Sequence, residues 1–181
     1  MNIQIISKKA KDLTNSEVKF MNDARVKDWN KDARVDFKKV DSKGEFIFVK
    51  DNGRIMAYGM MKPVKVKLNG KEYLIMGIGR GRAIIKGKNY GRLLNSARLF
   101  QLSRARKTGI AFTGRHNIVF FQKVGFKIKK NGIRKFAYKN PKTGKLIFDN
   151  EGDMVYYEGK DKFITKLLKS DKIAITDTDF W

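Results

Sequence analysis

Between Lys86 and Arg92 the chain reads Lys-Gly-Lys-Asn-Tyr-Gly-Arg, and these are residue types that hold a phosphate. An apolar run, Tyr-Leu-Ile-Met from Tyr73 to Met76, leads toward the stretch, and a segment of helical periodicity follows it. A strand that ends in a glycine-rich turn and feeds a helix leaves the first-turn N–H groups without intrahelical acceptors. Those groups carry partial positive charge and form an anion site. Gly87 and Gly91 let backbone approach a pyrophosphate, and Asn89 is the non-glycine residue that best accepts a positive φ. Lys86, Lys88 and Arg92 add full charges. Two other glycine readings fail. Gly77-Ile-Gly79-Arg-Gly81 has the wrong spacing for a dinucleotide fingerprint, and no Gly-Lys-Ser/Thr of a nucleotide-binding P-loop is present.

Charge is the second feature. The chain of 181 residues has 41 Lys and Arg against 18 Asp and Glu, a formal charge of +23. It is unevenly spread: residues 1–72 carry +7, residues 73–148 carry +19 with no acidic residue at all, and residues 149–181 carry −3. Such a density draws polyanions through a salt-screened field, so a nucleic acid or another polyanion is an expected partner. With no cysteine, disulfides, thiolate chemistry and a cysteine-based metal site are excluded, and with one histidine no zinc centre or other metal is expected. No apolar run reaches the length of a membrane span, and the N-terminus lacks a secretory apolar segment, so a soluble, cytoplasmic protein with no membrane partner is expected.

Elements must position the turn. Thr14, Asn15 and Ser16, with Glu17 behind them, cap a helix over about 16–30, and a second helical piece from 28 to 40 carries Trp29, Val35 and Phe37. Asp51-Asn52-Gly53 closes a hairpin within 45–61, and Asn69-Gly70 closes another between 64–68 and 72–76. From Asn89 to Lys107, Leu93, Leu94, Ala97, Phe100 and Leu102 form the inner face of a helix, with Arg92, Arg98, Arg104 and Arg106 on the wet face. A short strand at 109–114 follows, then a brief helix at 116–123 stopped by Gly125. Strand pieces at 126–129, 134–139, 146–148 and 154–158 are punctuated by Asn131-Gly132 and Pro141-Lys142-Thr143-Gly144, with a helix at 161–169 and a strand at 173–176 behind them.

The ordered pair Lys86-Gly-Lys-Asn-Tyr-Gly-Arg-Leu-Leu94 and His116-Asn-Ile-Val-Phe-Phe-Gln-Lys-Val-Gly-Phe126 resembles the GNAT acetyltransferase family. The resemblance covers roughly residues 14–160. It implies a single α/β (α+β) domain over 1–181 with the acyl-CoA N-acyltransferase fold, a mixed, mostly antiparallel sheet flanked by helices, and a C-terminal extension from 161. It implies acetyl-CoA as co-substrate and acetyl transfer to a primary amine, by a monomer or homodimer. Lys86, Gly87, Lys88, Asn89, Tyr90, Gly91 and Arg92 would hold the pyrophosphate. Ala83, Ile84 and Ile85 would line the pantetheine arm, and Asn117 would lie near it. Arg80 and Arg82 would recruit an anionic or nucleic-acid-linked amine.

The resemblance has departures. Asn89 replaces a glycine, and Lys86 stands at an Arg/Gln position. Phe121 stands where many members carry a tyrosine that protonates the leaving thiolate, and Ile78-Gly-Arg80-Gly-Arg82 puts cations where a carboxylate base is common. His116, kept neutral by the cations around it, is the expected base. The alternative is a protein of this fold that lost efficient chemistry and serves as a basic nucleic-acid-binding module.

Overall fold

The computed structural model describes residues 2–140 and 143–180, with the backbone alone at positions 29 and 31. The side chain of Trp29 and the Pro141-Lys142 half of one expected turn lie outside the described residues. The chain forms two compact units, one of Met1–Lys62 with Gly81–Leu94, the other of Pro63–Arg80 with Asn95–Trp181.

In the first unit, β1 (Ile3–Lys9) pairs antiparallel with β2 (Glu45–Asp51), which pairs antiparallel with β3 (Arg54–Leu68) as far as Met61. The β2–β3 turn is the one its sequence demands: Asn52 and Gly53 take φ of 49° and 76°, both left-handed. β1 has no counterpart in the sequence reading. Ile5 and Ile6 spoil its alternation and Ile5 is half exposed, so a backbone ladder rather than side-chain burial makes this strand.

Helix α1 (Asn15–Trp29) begins where its caps place it. Thr14 accepts the N–H of Glu17, and Glu17 reciprocates by accepting the N–H of Thr14 at 3.0 Å, a complete capping box. The helix stops at Asn30, whose φ is 137°. The helical piece expected over 28–40 is instead a 3-10 turn at Lys31–Ala33 and a four-residue helix α2 (Phe37–Val40). The physical reason lies on α1. Asn22 grips Val35 through both its amide groups, at 2.8 and 3.0 Å, and Arg25 donates to the Ala33 carbonyl at 2.8 Å. Side chains of α1 thus take the loop's backbone groups and replace a helical ladder. Phe37, Phe46, Phe48, Met21 and Tyr58 make the apolar interior of this unit.

The second unit contains the distal part of β3 and most of β4 (Lys71–Ala83), joined through Asn69-Gly70 with φ of 51° and 76°. Along the chain follow α3 (Tyr90–Ala105), β5 (Gly109–Thr113), α4 (Ile118–Val124), β6 (Lys127–Lys129) and β7 (Phe136–Lys139). β8 (Leu146–Phe148), β9 (Asp153–Tyr157), α5 (Phe163–Lys169) and β10 (Ala174–Thr176) complete it. The strand order is β6-β9-β5-β4-β3-β10-β7-β8, with β4–β5 and β10–β7 parallel and β6–β9, β9–β5, β3–β10 and β7–β8 antiparallel. Val64, Val66, Ile75, Ile110, Phe136 and Phe163 meet on one face. On the other face Gly109 lies directly beneath Leu102, so α3 rides on β5 where no side chain intervenes. The expected fold class, a mixed and mostly antiparallel sheet with flanking helices, is the one observed.

Leu94 and Leu102 are buried and Arg92, Arg104 and Arg106 exposed as the sequence reading expects, but two positions of α3 differ. Arg98, placed on the wet face, is 2% exposed, whereas Phe100, placed on the inner face, is 62% exposed beside Arg104. The buried positions are Tyr90, Leu94, Arg98 and Leu102, an i, i+4, i+8, i+12 stripe, with Asn95 beside it, so two of the five are polar. Apolar periodicity alone cannot find such a stripe.

Thr14→Ala should lower stability by about 1 kcal/mol, measured by thermal or urea unfolding. Glu17 has a second signature. Burial acts to raise its pKa, but the hydrogen bond from Lys8, the Thr14 amide and the charge of Lys8 together hold it below 4.5. A carboxylate with a depressed folded pKa stabilises above its unfolded pKa and loses that contribution as pH falls through the folded value. Stability should therefore decline below about pH 4.5 in the native chain and decline less in Glu17→Gln.

Candidate functional site

The basic turn belongs to the first unit. β4 ends at Ala83, and Ile84 then donates its N–H to the Met56 carbonyl of β3 at 2.9 Å, which fixes the entry to the turn. Lys86, Gly87, Lys88 and Asn89 are exposed. Gly87 and Asn89 take φ of 79° and 61°, so the asparagine does adopt the left-handed conformation its type permits. The Asn89 carbonyl accepts the N–H of Leu93 at 3.0 Å and starts α3 at Tyr90. The Tyr90 hydroxyl donates to Asp51 at 2.7 Å, tying the first turn of α3 to the hairpin. That bond to a carboxylate raises the phenol's pKa. Among the described residues no carboxylate pairs with Lys86, Lys88 or Arg92. Arg82 is different: it holds Asp28 in a fork, Nη2 at 2.8 Å from Oδ1 and Nη1 on Oδ2. Ile84 and Ile85 border a cavity of about 720 Å³ that also touches Lys8, Glu17, Lys50 and Arg54.

The second unit contains an opening between strands. β4 and β5 pair only at Met76–Gly109 and Gly77–Ile110, after which β5 continues with β9 alone. Just past the break, Arg80 has φ of 54°, a left-handed conformation that a long side chain adopts at a cost of about 1–3 kcal/mol. The Gly79 carbonyl, turned off the ladder, is taken by the buried guanidinium of Arg98: Nη2 donates to it at 2.6 Å, and Nη1 donates to Asn95 Oδ1 at 2.9 Å. Burial lowers the pKa of Arg98 to about 9, which leaves it charged at neutral pH. The sequence reading missed this residue as a structural cation. Its only signal was an asparagine three positions earlier on the same face.

Asn117 and His116 lie on the 3-10 turn that precedes α4. His116 is exposed beside Gly114. The Asn117 amide donates to Thr113 Oγ1 at 3.0 Å, tying the turn to the end of β5. Phe121 packs edge-on against Phe120 and Phe126, with ring centroids at 5.3 and 5.8 Å, so this position is an aromatic contact.

At the C-terminal end of β5 lies a cavity of about 740 Å³ that the sequence reading did not place. Phe112, Ile133 and Phe180 give it apolar wall, and Asp149, Glu151 and Asp153 bring carboxylates to it, along with Arg115 and Arg134. No motif marks these acids. The topology alone assembles them, because Asp153 begins the strand that pairs with Thr113.

No family profile and no curated protein matches this sequence. Solved structures do. The GNAT-family N-acetyltransferase YhbS of Escherichia coli, solved with CoA, superposes with a TM-score of 0.61 at 13% identity, over 97% of this chain and 89% of that one. Escherichia coli ElaA matches with a TM-score of 0.58 at 16% identity, over 87% and 100%. A Bacillus subtilis acetyltransferase in complex with CoA matches at 0.55 and 16%, over 87% and 99%. The chain has the fold of the GNAT N-acetyltransferases.

Arg98→Met should cost about 1–3 kcal/mol for each of Gly79 O and Asn95 Oδ1 left without its donor. Arg98→Lys should recover only part, since one ammonium lacks the fork that reaches both acceptors. Chemical unfolding of the three proteins measures the difference.

Proposed function

We propose that the chain is an acetyl-CoA-dependent N-acetyltransferase acting on a primary amine. The observation that carries this reading is the turn 86–92. It combines left-handed Gly87 and Asn89, exposed lysines without a carboxylate partner, and the start of a sixteen-residue helix. This is the arrangement a pyrophosphate requires. The separation of β4 from β5 supports it, since an unpaired strand end offers the backbone groups that an extended pantetheine arm can bond. CoA-bound structures of the same fold support it further.

In this reading the backbone of Lys86, Gly87, Lys88, Asn89, Tyr90, Gly91 and Arg92 binds the pyrophosphate, and Ala83, Ile84 and Ile85 hold the arm. Asn117 is assigned a place near that arm, through the turn it ties to Thr113. The amine, freed of one proton, attacks the thioester carbonyl. The N–C bond forms, the C–S bond breaks, and sulfur leaves with the electron pair. The second proton of the nitrogen ends on the thiolate, so the thiol departs neutral. Backbone N–H groups polarise the carbonyl, and His116 is the assigned proton acceptor. Arg80 and Arg82 are assigned to an anionic part of the substrate, for which Arg82 exchanges Asp28.

A second reading, a basic nucleic-acid-binding module, is favoured by the unpaired lysines of the turn and by the acid-free stretch from 73 to 148. The two readings separate by titration. Calorimetry with acetyl-CoA at moderate salt should show saturable binding, and no heat of binding would retire the enzyme reading. Gly91→Glu should abolish that binding while the unfolding temperature stays within a few degrees. For the second reading, gel shifts with tRNA and duplex DNA should weaken steeply as salt rises, and no shift at about 100 mM salt would retire it.

A further inference from the structure

The cavity at the end of β5 has a floor of one particular kind. Asp153 is 3% exposed, and its two carboxylate oxygens differ. Oδ1 accepts the N–H of Asn131 at 2.7 Å, whereas Oδ2 is buried without a hydrogen-bond partner. A buried carboxylate oxygen lacking a donor is costly, and the group that relieves the cost is a charged N–H donor. We propose that this cavity binds a primary alkyl ammonium, with Asp153 as its anchor.

The surroundings hold Asp153 in place. It is the first residue of β9 and pairs with Thr113 at the end of β5. Asn131, whose N–H it accepts, is left-handed at φ 52°, and a Cβ on the following Gly132 would come within 2.5 Å of Met154 Cβ. The loop therefore has little room to carry the carboxylate elsewhere. Asp149 and Glu151 stand exposed on the same rim, where Asp149 Oδ1 accepts the Glu151 N–H at 3.2 Å. The Arg134 guanidinium is turned onto the Asn150 carbonyl at 3.0 Å, so it steadies this loop and leaves Asp153 Oδ2 unoccupied. Phe112 and Phe180, with ring centroids 5.0 Å apart, and Ile133 supply apolar wall for the methylenes of an alkyl amine.

Two alternatives fit less well. Among the described residues no three carboxylate or imidazole groups converge as metal ligands. An anionic ligand would face Asp153 itself. The local sign is notable because the chain carries +19 from residue 73 to 148, and the acids of this cavity begin immediately after it.

The inference rests on the acetyltransferase reading in one respect: there, this ammonium is the nitrogen that receives the acetyl group. The cavity opens beside Phe112, on the face of β5 opposite the Gly109 side that α3 covers. An amine entering here reaches the end of β5 from the face away from that helix. The ammonium passes one proton to His116, the assigned acceptor, before attack, and Asp153 fixes the position of the nitrogen.

The full-length chain is titrated with n-butylamine and, separately, n-butanol at neutral pH, followed by protein NMR. Butylamine should give saturable shifts at residues 112–114 and 149–153, and butanol at the same concentrations should not. Asp153→Asn, which keeps an acceptor for Asn131, should bind butylamine at least tenfold more weakly with acetyl-CoA affinity unchanged. Equal shifts from both probes, or unchanged butylamine binding in Asp153→Asn, overturn the proposal. Should Asp153→Asn fail to fold, Asp149→Asn and Glu151→Gln are expected to weaken butylamine two- to threefold each, and no change in either overturns it. Native protein that binds butylamine at these residues but not acetyl-CoA upholds the amine site and retires acetyl transfer. Acetyl-CoA binding without butylamine binding retires the amine site alone.

Discussion

The constraint on which the rest depends is the early end of the pairing between β4 and β5. A parallel pair that stops after two residues leaves carbonyls and amides with nowhere to bond, and a buried polar group in that state costs several kcal/mol (roughly 1–3 per group). Arg98 settles the Gly79 carbonyl, and Asn95 settles the guanidinium in turn. Arg80 absorbs the bend in its own backbone. With those groups satisfied, the strand can leave its neighbour and still be an ordered strand.

Electrostatics divide the molecule by pairing rather than by composition. Lys8 and Lys50 share Glu17 at 2.8 and 3.8 Å, Lys62 stands 3.6 Å from the fully buried Asp41, and Arg82 has Asp28. These cations are committed to the fold. The lysines of the turn are not, and an ion entering there displaces only water and screening counterions. The field of +23 thus has a structural part and an available part, and the available part is concentrated where residues 73–148 contribute no acid.

Local chemistry made much of the fold legible. Asn-Gly pairs at 52–53 and 69–70 force both turn residues to be left-handed, and Thr14 with Glu17 defines a helix start whatever follows. Asn89 was legible for the same reason, since few side chains accept its backbone. What stayed hidden depends on tertiary partners. β1 has little apolar face to announce it, and the chain from 30 to 40 has helical spacing but spends its backbone bonds on Asn22 and Arg25. Arg98 and Phe100 exchanged places because a helix face is chosen by what lies opposite it. Asp153 became conspicuous only when the strands brought it to the end of β5.

The sheet edges carry a consequence of their own. In the second unit the outer strands β6 and β8 are three residues each, and β6 alternates Lys127 and Lys129 around one isoleucine. β1, the outer strand of the first unit, ends in Lys8 and Lys9. Short, lysine-bearing edges give an incoming strand few ladder bonds and a like charge to meet. A protein rich in exposed Phe100, Val119 and Phe148 would otherwise be at risk of strand-to-strand aggregation at high concentration. Here the positive charge of the edges keeps copies of the chain apart, so solubility is expected to fall as salt rises.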